Sequence, residues 1–179
     1  MNLTAITDPK DVAALHLLDS LTLLAAADFA NKSLIDVGTG AGFPGLPIAI
    51  ACPDCQVTLL DSLGKRVDFL QEVCAALSLS NVTCVHARAE EYVQSCREQY
   101  DIAASRAVAE LRTLSELCLP YVRPGGLFLA MKSVDTEGEL AAAQPAIRLL
   151  GAQTERIIDC PLPSTEITHR LIVLRKRTP

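Results

Sequence analysis

Short apolar runs alternate with amphipathic stretches along the chain, and clusters of turn residues separate them. Alternation of this kind is typical of βαβ units and of a mostly parallel sheet. The strands predicted for these units are Ser33–Val37, Gln56–Leu60, Val82–His86, Asp101–Ser105 and Leu127–Lys132.

Helices are predicted between these strands. The segment Lys65–Leu77 shows the pattern most clearly, because its apolar residues recur at helical spacing while its charged residues lie on the opposite face. The other predicted helices are a leading helix at Pro9–Ala27, a short helix that follows the turn Gly38–Gly42 and ends near Cys52, and the segments Val108–Tyr121 and Thr136–Leu150.

The last part of the chain follows a different pattern. Thr154–Cys160 and His169–Arg175 read as two strands without a helix between them, so we expect them to pair antiparallel. Arg123–Gly126 reads as a turn before the fifth strand. The pattern predicts an α/β fold with a mostly parallel seven-stranded sheet and an antiparallel C-terminal strand pair. The length of 179 residues indicates a single domain over residues 1–179, of which residues 1–30 form a leading helical segment.

The composition supports a buried sheet. Half of the residues are hydrophobic but only 4% are aromatic, so aliphatic side chains must build the core, as in parallel sheets covered on both faces. No apolar stretch reaches the length of a membrane span, and Met1–Lys10 lacks the pattern of a signal peptide. We therefore expect a cytoplasmic protein.

The seven cysteines are an odd number, and most stand singly among apolar residues, so disulfides are not expected. Cys52 and Cys55 form one close pair, but no second ligand pair stands out at a suitable spacing. No metal site is predicted.

The strongest local signal is the glycine-rich turn after the first strand, where Gly38, Gly40 and Gly42 stand at alternate positions. Glycines there let the backbone approach a ligand at the carboxyl edge, where open α/β sheets bind ligands. Together with Gly45 the turn also satisfies the dinucleotide pattern. Asp61, after the second strand, suits the ribose of either NAD or S-adenosylmethionine.

Two details favour S-adenosylmethionine. Pro44 removes a backbone N–H near the helix start, where a pyrophosphate would need donors and a methionine tail does not. Asp36, just before the glycines, is placed to attract the ammonium group of the methionine moiety or a water bound to it. The residues thus predict S-adenosylmethionine as the cofactor, with Gly38 and Gly40 in the turn and Asp61 at the ribose.

Two further positions lie at the same edge of the sheet. Ala89 and Glu90 follow the third strand, where an adenine or a ribose would be contacted, although Glu90 could equally begin a solvated helix. Arg106 follows the fourth strand and should point toward the cofactor or the acceptor, the alternative being an ordinary surface ion pair.

The sequence lacks groups that two kinds of nucleic-acid methyltransferase use. A cytosine-C5 enzyme needs a nucleophilic cysteine, and an exocyclic-amine enzyme usually shows Asn or Asp followed by Pro-Pro after the fourth strand. Neither is found at the expected place. Guanine N7 has an in-plane lone pair and no proton to remove, so its methylation needs alignment rather than a base.

The net charge of −5 speaks against a nucleic-acid partner, since phosphate binding is normally carried by clustered Lys and Arg. An RNA substrate would require the basic residues to gather on one face. The residues in question are Lys65, Arg66, Arg88, Arg106, Arg112, Lys132, Arg170, Arg175, Lys176 and Arg177.

Segments spread over nearly the whole chain match one known family. They are Asn2–Ile6, His16–Leu21, Asp36–Pro47, Leu59–Ser62, Gly64–Arg66, Ser105–Ala107 and Leu171–Lys176. On these segments the sequence resembles the bacterial 16S ribosomal RNA guanine-N7 methyltransferases of the RsmG type, once called glucose-inhibited division protein B. The glycine turn alone would not identify this family, whereas the combination does.

The resemblance implies a Rossmann-like methyltransferase fold, S-adenosylmethionine as cofactor, and 16S rRNA or the small ribosomal subunit as partner. A monomer is expected. It implies that the cofactor is contacted by Gly38, Phe43, Ala89, Glu90 and Arg106, with Asp36 and Asp61 in support. Arg106 would also orient one reactant. Without the family, Phe43 would be a core residue. His16 is either a hydrogen-bonded histidine on an apolar helix or a residue with an RNA-binding or catalytic role, and Lys65 and Arg66 are either guides for phosphate or a solvated helix start.

Family members usually carry a further helical segment ahead of Asn2–Ile6, while this sequence starts at Met1. Such a segment could hold RNA or cover the core, so we expect its absence to affect substrate affinity and stability rather than the cofactor turn. Three alternatives stay open: a methyltransferase of a small molecule or protein, a non-catalytic S-adenosylmethionine-binding module, and a nicotinamide dehydrogenase.

Overall fold

The computed structural model describes residues 13–106, 109–163 and 165–179. Seven strands form one sheet in the order β3-β2-β1-β4-β5-β7-β6. The strands are β1 Ser33–Val37, β2 Gln56–Asp61, β3 Val82–His86, β4 Tyr100–Arg106, β5 Val122–Ser133, β6 Ala152–Pro161 and β7 Thr168–Lys176. Strands β1 to β5 pair parallel, and β7 runs antiparallel to both β5 and β6. The predicted fold class is confirmed.

Five helices of seven or more residues connect the strands within the described residues. They are α1 Gly45–Ala51, α2 Gly64–Ala76, α3 Ala89–Cys96, α4 Leu111–Cys118 and α5 Glu137–Leu149. Helix α3 was not predicted as an element, because its eight residues, with Glu90 and Glu91 in the first turn, give only a short apolar repeat. The predicted helix from Val108 is wrong in its bounds: α4 starts at Leu111, and Leu119–Tyr121 is a 3₁₀ turn around Pro120. Val108 itself lies outside the described residues.

The predicted leading helix is not one regular helix. Its described part is a π-helical turn at Ala13–Leu18, one α-helical turn at Asp19–Leu21 and a 3₁₀ turn at Thr22–Ala25. Side-chain hydroxyls explain the irregularity, because Ser20 donates to the carbonyl of His16 at 2.5 Å and Thr22 to that of Asp19 at 2.6 Å. These turns, residues 13–25, are called the N-terminal helical segment below. The first residues of the predicted helix and the segment Asn2–Ile6 lie outside the described residues.

The segment Arg123–Gly126 is a bulge inside β5 and not a turn before it. Tyr100 of β4 pairs with Val122, but Ile102 pairs with Leu127, so the intervening residues of β5 are extra. A side chain at Gly126 would meet the carbonyl oxygen of Asp101 at 2.5 Å, which requires glycine at this crossing.

Aliphatic side chains cover both faces of the sheet. Leu34 and Leu59 belong to the core on one face, while their neighbours Ile35 and Leu60 belong to the core on the other. Because both faces are buried, polar groups that follow the strands collect at the carboxyl edge. Within the described residues no helix is both long and apolar enough to cross a membrane. The single-domain organisation and the monomeric state stay predictions.

Candidate active site at the carboxyl edge of the sheet

The glycine turn connects β1 to α1 in backbone conformations that favour glycine. Gly38, Gly40 and Gly42 have φ angles of 71°, 61° and 98°. The turn is fastened to the neighbouring strand, because the amides of Gly38 and Thr39 donate to the carbonyl oxygen of Leu60 at 2.9 and 3.1 Å. Its backbone is therefore held in place over the end of β1.

A side chain would be poorly tolerated at Gly42 of the turn. Its φ of +98° is strained for other residues, and a Cβ atom would overlap the side chain of Leu46 and lie 2.9 Å from Cδ2 of Leu70. We expect Gly42→Ala to lower the free energy of unfolding by about 1–3 kcal/mol, measured by urea denaturation.

Gly138→Ala is the matched control, because nothing lies within 4 Å of a Cβ atom there and the residue is in α5. A better helix former should leave stability equal or raise it by up to about 1 kcal/mol. Equal stability of the wild type and the Gly42→Ala variant would show that the turn can relax around a side chain.

Asp36 supports the turn from beneath. Its carboxylate is fully buried, and Oδ2 accepts hydrogen bonds from the Thr39 hydroxyl at 2.6 Å and the Gly45 amide at 2.8 Å. Oδ1 has no hydrogen-bond partner among the described residues. Burial raises the pKa of Asp36 to about 6, although the hydrogen bonds from Thr39 and Gly45 and the charge of Arg106 oppose this rise. Asp36 does not line the cavity described next.

A cavity of about 540 Å³ opens above the turn and runs along the ends of β3, β2, β1 and β4. It brings together seven of the eight residues predicted to bind the cofactor. They are Gly38, Gly40, Phe43, Asp61, Ala89, Glu90 and Arg106.

Asp61 occupies the middle of this cavity at the end of β2. Its Oδ2 accepts from the Gly40 amide at 2.9 Å, and its Oδ1 accepts from the Leu63 amide at 2.9 Å. Arg66, which also lines the cavity, lies 3.4 Å from the same Oδ2. The carboxylate is thus held in one orientation beside the glycine turn, with lone pairs left for a further donor.

Phe43, Arg106 and His16 form the wall at the β4 end. The guanidinium carbon of Arg106 lies 5.1 Å from the centroid of the Phe43 ring, and the His16 ring stacks on the same ring with centroids 4.9 Å apart. Arg106 donates to Nδ1 of His16 at 3.1 Å, which requires an unprotonated Nδ1. Burial first, then the charge of Arg106, lowers the pKa of His16, so the ring is neutral at pH 7.

The β3 end of the cavity is formed by the start of α3. The Tyr121 hydroxyl donates to the carbonyl oxygen of Ala89 at 2.6 Å, which fixes the backbone there. The Glu90 side chain is 57% exposed and lies 3.5 Å from Arg88, and a hydrogen bond to its own backbone N–H lowers its pKa. Glu90 thus stands in the first turn of a helix and also lines the cavity, and its contact with an adenine or ribose stays a prediction.

Asp19 and His169 were not predicted as site residues, although Asp19 contacts Arg106 at 3.1 Å and His169 at 2.7 Å. The signal for Asp19 was a carboxylate inside an otherwise apolar stretch, three residues after His16. For His169 no local pattern in the sequence gave a signal. Thr39, Ala87 and Leu117 also line the cavity or hold its turn.

The basic residues gather in part. The ends of the strands and their register show that seven of the ten basic residues lie at the carboxyl edge of the sheet. Lys132 of β5 pairs with Arg170 of β7 at this edge, whereas Arg175 pairs with Leu127 at the opposite edge. The seven are Lys65, Arg66, Arg88, Arg106, Arg112, Lys132 and Arg170. Six of them lie within 4 Å of a carboxylate. The exposed pairs Arg88–Glu90 and Arg112–Glu116 contribute little to stability, so phosphate could take the place of their carboxylates.

The cysteines carry no sign of chemistry. All seven are free thiols, and burial raises the pKa of Cys55 to about 12. Over the described residues no three His, Cys, Asp or Glu side chains are grouped so that they could hold a metal ion.

Several solved structures share this fold. TrmN from Thermus thermophilus has a TM-score of 0.68 at 22% identity, covering 88% of this chain and 48% of that one. M. jannaschii TYW2, solved in complex with AdoMet, has a TM-score of 0.71 at 12% identity and covers 90% of this chain and 76% of that one. At these identities the likeness concerns the fold. The chain thus has the Rossmann-like fold of S-adenosylmethionine-dependent methyltransferases, with a cavity at the carboxyl edge of its sheet.

Sequence comparison identifies the family. The family model for rRNA small subunit methyltransferase G, GidB, matches residues 1–168. The ribosomal RNA small subunit methyltransferase G of Alkaliphilus oremlandii is 49% identical, and that of Clostridium botulinum strain ATCC 19397 is 46% identical. Each match covers 98% of this chain and 75% of the relative. The chain belongs to the rRNA small subunit methyltransferase G family, as the resemblance implied.

Proposed function

We propose that the protein transfers a methyl group from S-adenosylmethionine to N7 of a guanine in the 16S rRNA of the small ribosomal subunit. The observation that carries the proposal is the cavity at the carboxyl edge. It combines a fastened glycine turn, the oriented carboxylate of Asp61 and the guanidinium of Arg106 in a chain of this family.

The residues present fit the charges of the cofactor. Asp36 has a buried Oδ1 without a hydrogen-bond partner among the described residues, and it lies under the turn, where it would stabilise a nearby ammonium or sulfonium. Asp61 would accept hydrogen bonds from the ribose hydroxyls. Ala87 and Ala89 offer an apolar surface with backbone polar groups for the adenine.

Methyl transfer to N7 requires little of the protein beyond alignment of the methyl donor with the guanine. S-adenosylmethionine supplies a methyl carbon on a sulfonium, and a neutral thioether leaves when the N7 lone pair of guanine takes the methyl group. Because N7 carries no proton, no side chain has to act as a base. Arg106, whose two terminal nitrogens both donate hydrogen bonds, would orient the cofactor at the β4 end. The basic residues of the carboxyl edge would receive the RNA backbone.

The test is methyl transfer from labelled S-adenosylmethionine to small subunits that lack the modification, and in parallel to their naked 16S rRNA. Mass spectrometry of the digested RNA should identify N7-methylguanosine. Subunits that already carry the modification are the control and should accept no label. Two substrates are compared because either could be recognised.

Two other outcomes would replace the proposal. Label that enters a protein or a small molecule, and no RNA, would favour a methyltransferase of that class. Cofactor binding by calorimetry without transfer to either RNA substrate would favour a binding module.

A further inference from the structure

Asp19 does not line the cavity, yet it contacts the arginine that does. Its carboxylate is fully buried. Oδ2 lies 3.1 Å from Nη1 of Arg106, and Oδ1 lies 2.7 Å from Nδ1 of His169. The three residues come from the N-terminal helical segment, the end of β4 and the start of β7. One buried carboxylate thus joins three segments that are distant in sequence.

The N-terminal helical segment supplies further acceptors for Arg106. Nη1 also donates to the carbonyl oxygen of Leu15 at 3.1 Å, and Nη2 donates to Nδ1 of His16 at 3.1 Å. The donors of a guanidinium form a rigid planar fork, so acceptors on both terminal nitrogens fix its orientation as well as its position. Arg106 therefore keeps one face over the ring of Phe43.

A buried carboxylate is costly unless it is paired, and in the described residues Asp19 is paired with Arg106 and His169. Replacing a whole buried ion pair by apolar residues is often neutral or even stabilising, so the pair by itself is weak evidence of a role in stability. The charge of Asp19 thus calls for a reason other than stability, and its contact with Arg106 supplies one.

We propose that Asp19 is a positioning residue, which acts through Arg106 to hold the guanidinium where it receives the carboxylate of the methionine moiety. The inference rests on the proposed function. The sheet order puts Ala89 and Arg106 at opposite ends of the cavity with Asp61 between them. S-adenosylmethionine bound at Asp61 through its ribose would therefore extend its methionine part toward the glycine turn, Asp36 and Arg106. There the ammonium and the carboxylate both meet opposite charges.

The test compares two ligands on each variant by calorimetry: S-adenosylmethionine, and 5′-methylthioadenosine, which keeps the adenine and ribose but lacks the amino-acid part. Asp19→Asn should weaken S-adenosylmethionine binding by about tenfold or more, the scale expected for a disturbed charged pair, and change methylthioadenosine binding by less than about twofold. The control Asp159→Asn breaks the exposed pair with Arg170 beside His169 and should change neither affinity.

A second variant keeps the test decisive if Asp19→Asn does not fold. Arg106→Lys retains the positive charge but loses the fork, and it should show the same selective loss. In the Arg106→Lys background, Asp19→Asn should add no further loss, because its effect passes through the fork.

Three results would overturn the inference. The first is an equal loss of affinity for both ligands in Asp19→Asn, which would indicate a structural role alone. The second is wild-type affinity for S-adenosylmethionine in Asp19→Asn, and the third is wild-type affinity for S-adenosylmethionine in Arg106→Lys. The readout is separable from the proposed function, because ligand selectivity is measured without RNA. Failure of the wild type to methylate RNA would remove the substrate and leave this result standing.

Discussion

Asp61→Asn should weaken S-adenosylmethionine binding by at least about 100-fold, the largest effect on affinity that we expect from a single polar substitution in the cavity. The carboxylate orients the turn through the Gly40 amide and presents charged oxygens toward the cavity. Hydrogen bonds to charged groups contribute about 1.5–3 kcal/mol each, and an asparagine retains one acceptor in place of two. Isothermal titration calorimetry measures the change.

Asp68→Asn is the matched control, since it removes the same charge from the exposed face of α2 and should leave the affinity as it is. Wild-type affinity in Asp61→Asn would mean that this carboxylate serves only the turn. Because Asp61 lies between the two ends of the cavity, its loss should weaken methylthioadenosine as strongly as S-adenosylmethionine. That pattern differs from the selective loss expected for Asp19.

Local patterns were sufficient to predict each strand of the parallel half of the sheet, although not all of the strand bounds. The first and third strands were predicted with the bounds that the structure shows, because turn residues enclose both apolar runs. The bulge at Arg123–Gly126 was misread, because glycines and proline in sequence indicate a turn. Only the register of β5 against β4 shows that these residues stay within a strand.

The site also contains some residues that local patterns predict and others that they do not. The glycine turn, Asp61 and Arg106 could be predicted, because each follows a strand and carboxyl ends of parallel strands meet at one edge. The contacts of Asp19 with Arg106 and His169 span 87 and 150 positions, and no local pattern contains them. The irregular N-terminal helical segment also escaped prediction, since hydrogen bonds from Ser20 and Thr22 override an apolar repeat.

Asp36 links the stability of the fold to cofactor binding. The pKa of this carboxyl group is 3.8 in the unfolded chain and about 6 in the fold. At a pH between these two values the folded protein therefore binds more protons than the unfolded chain. The contribution of Asp36 to the free energy of unfolding is fully present below pH 3.8 and is lost as the pH rises through about 6. The ionised carboxylate at neutral pH therefore lowers stability, and a cationic cofactor nearby would favour this same ionised form.

Asp36→Asn should accordingly remove a pH dependence. We expect the unfolding free energy of the variant, relative to the wild type, to increase by up to about 3 kcal/mol between pH 4 and pH 8, since each pH unit of pKa difference corresponds to about 1.4 kcal/mol. The comparison cancels His16, whose lowered pKa acts in the opposite direction in both proteins. Urea denaturation across this range measures the difference, and a constant difference would contradict the raised pKa.

The same substitution tests the role of Asp36 toward the cofactor. Wild-type affinity for S-adenosylmethionine should fall as the pH drops below about 6, because protonation removes the negative charge beneath the turn. In Asp36→Asn the affinity at pH 8 should already be as low as that of the wild type at acidic pH, and its profile should be flatter. A variant that is more stable at pH 8 but binds the cofactor as the wild type does would assign Asp36 to the turn alone. A variant that gains stability and loses affinity would show that the charge is kept for the cofactor at a cost to the fold.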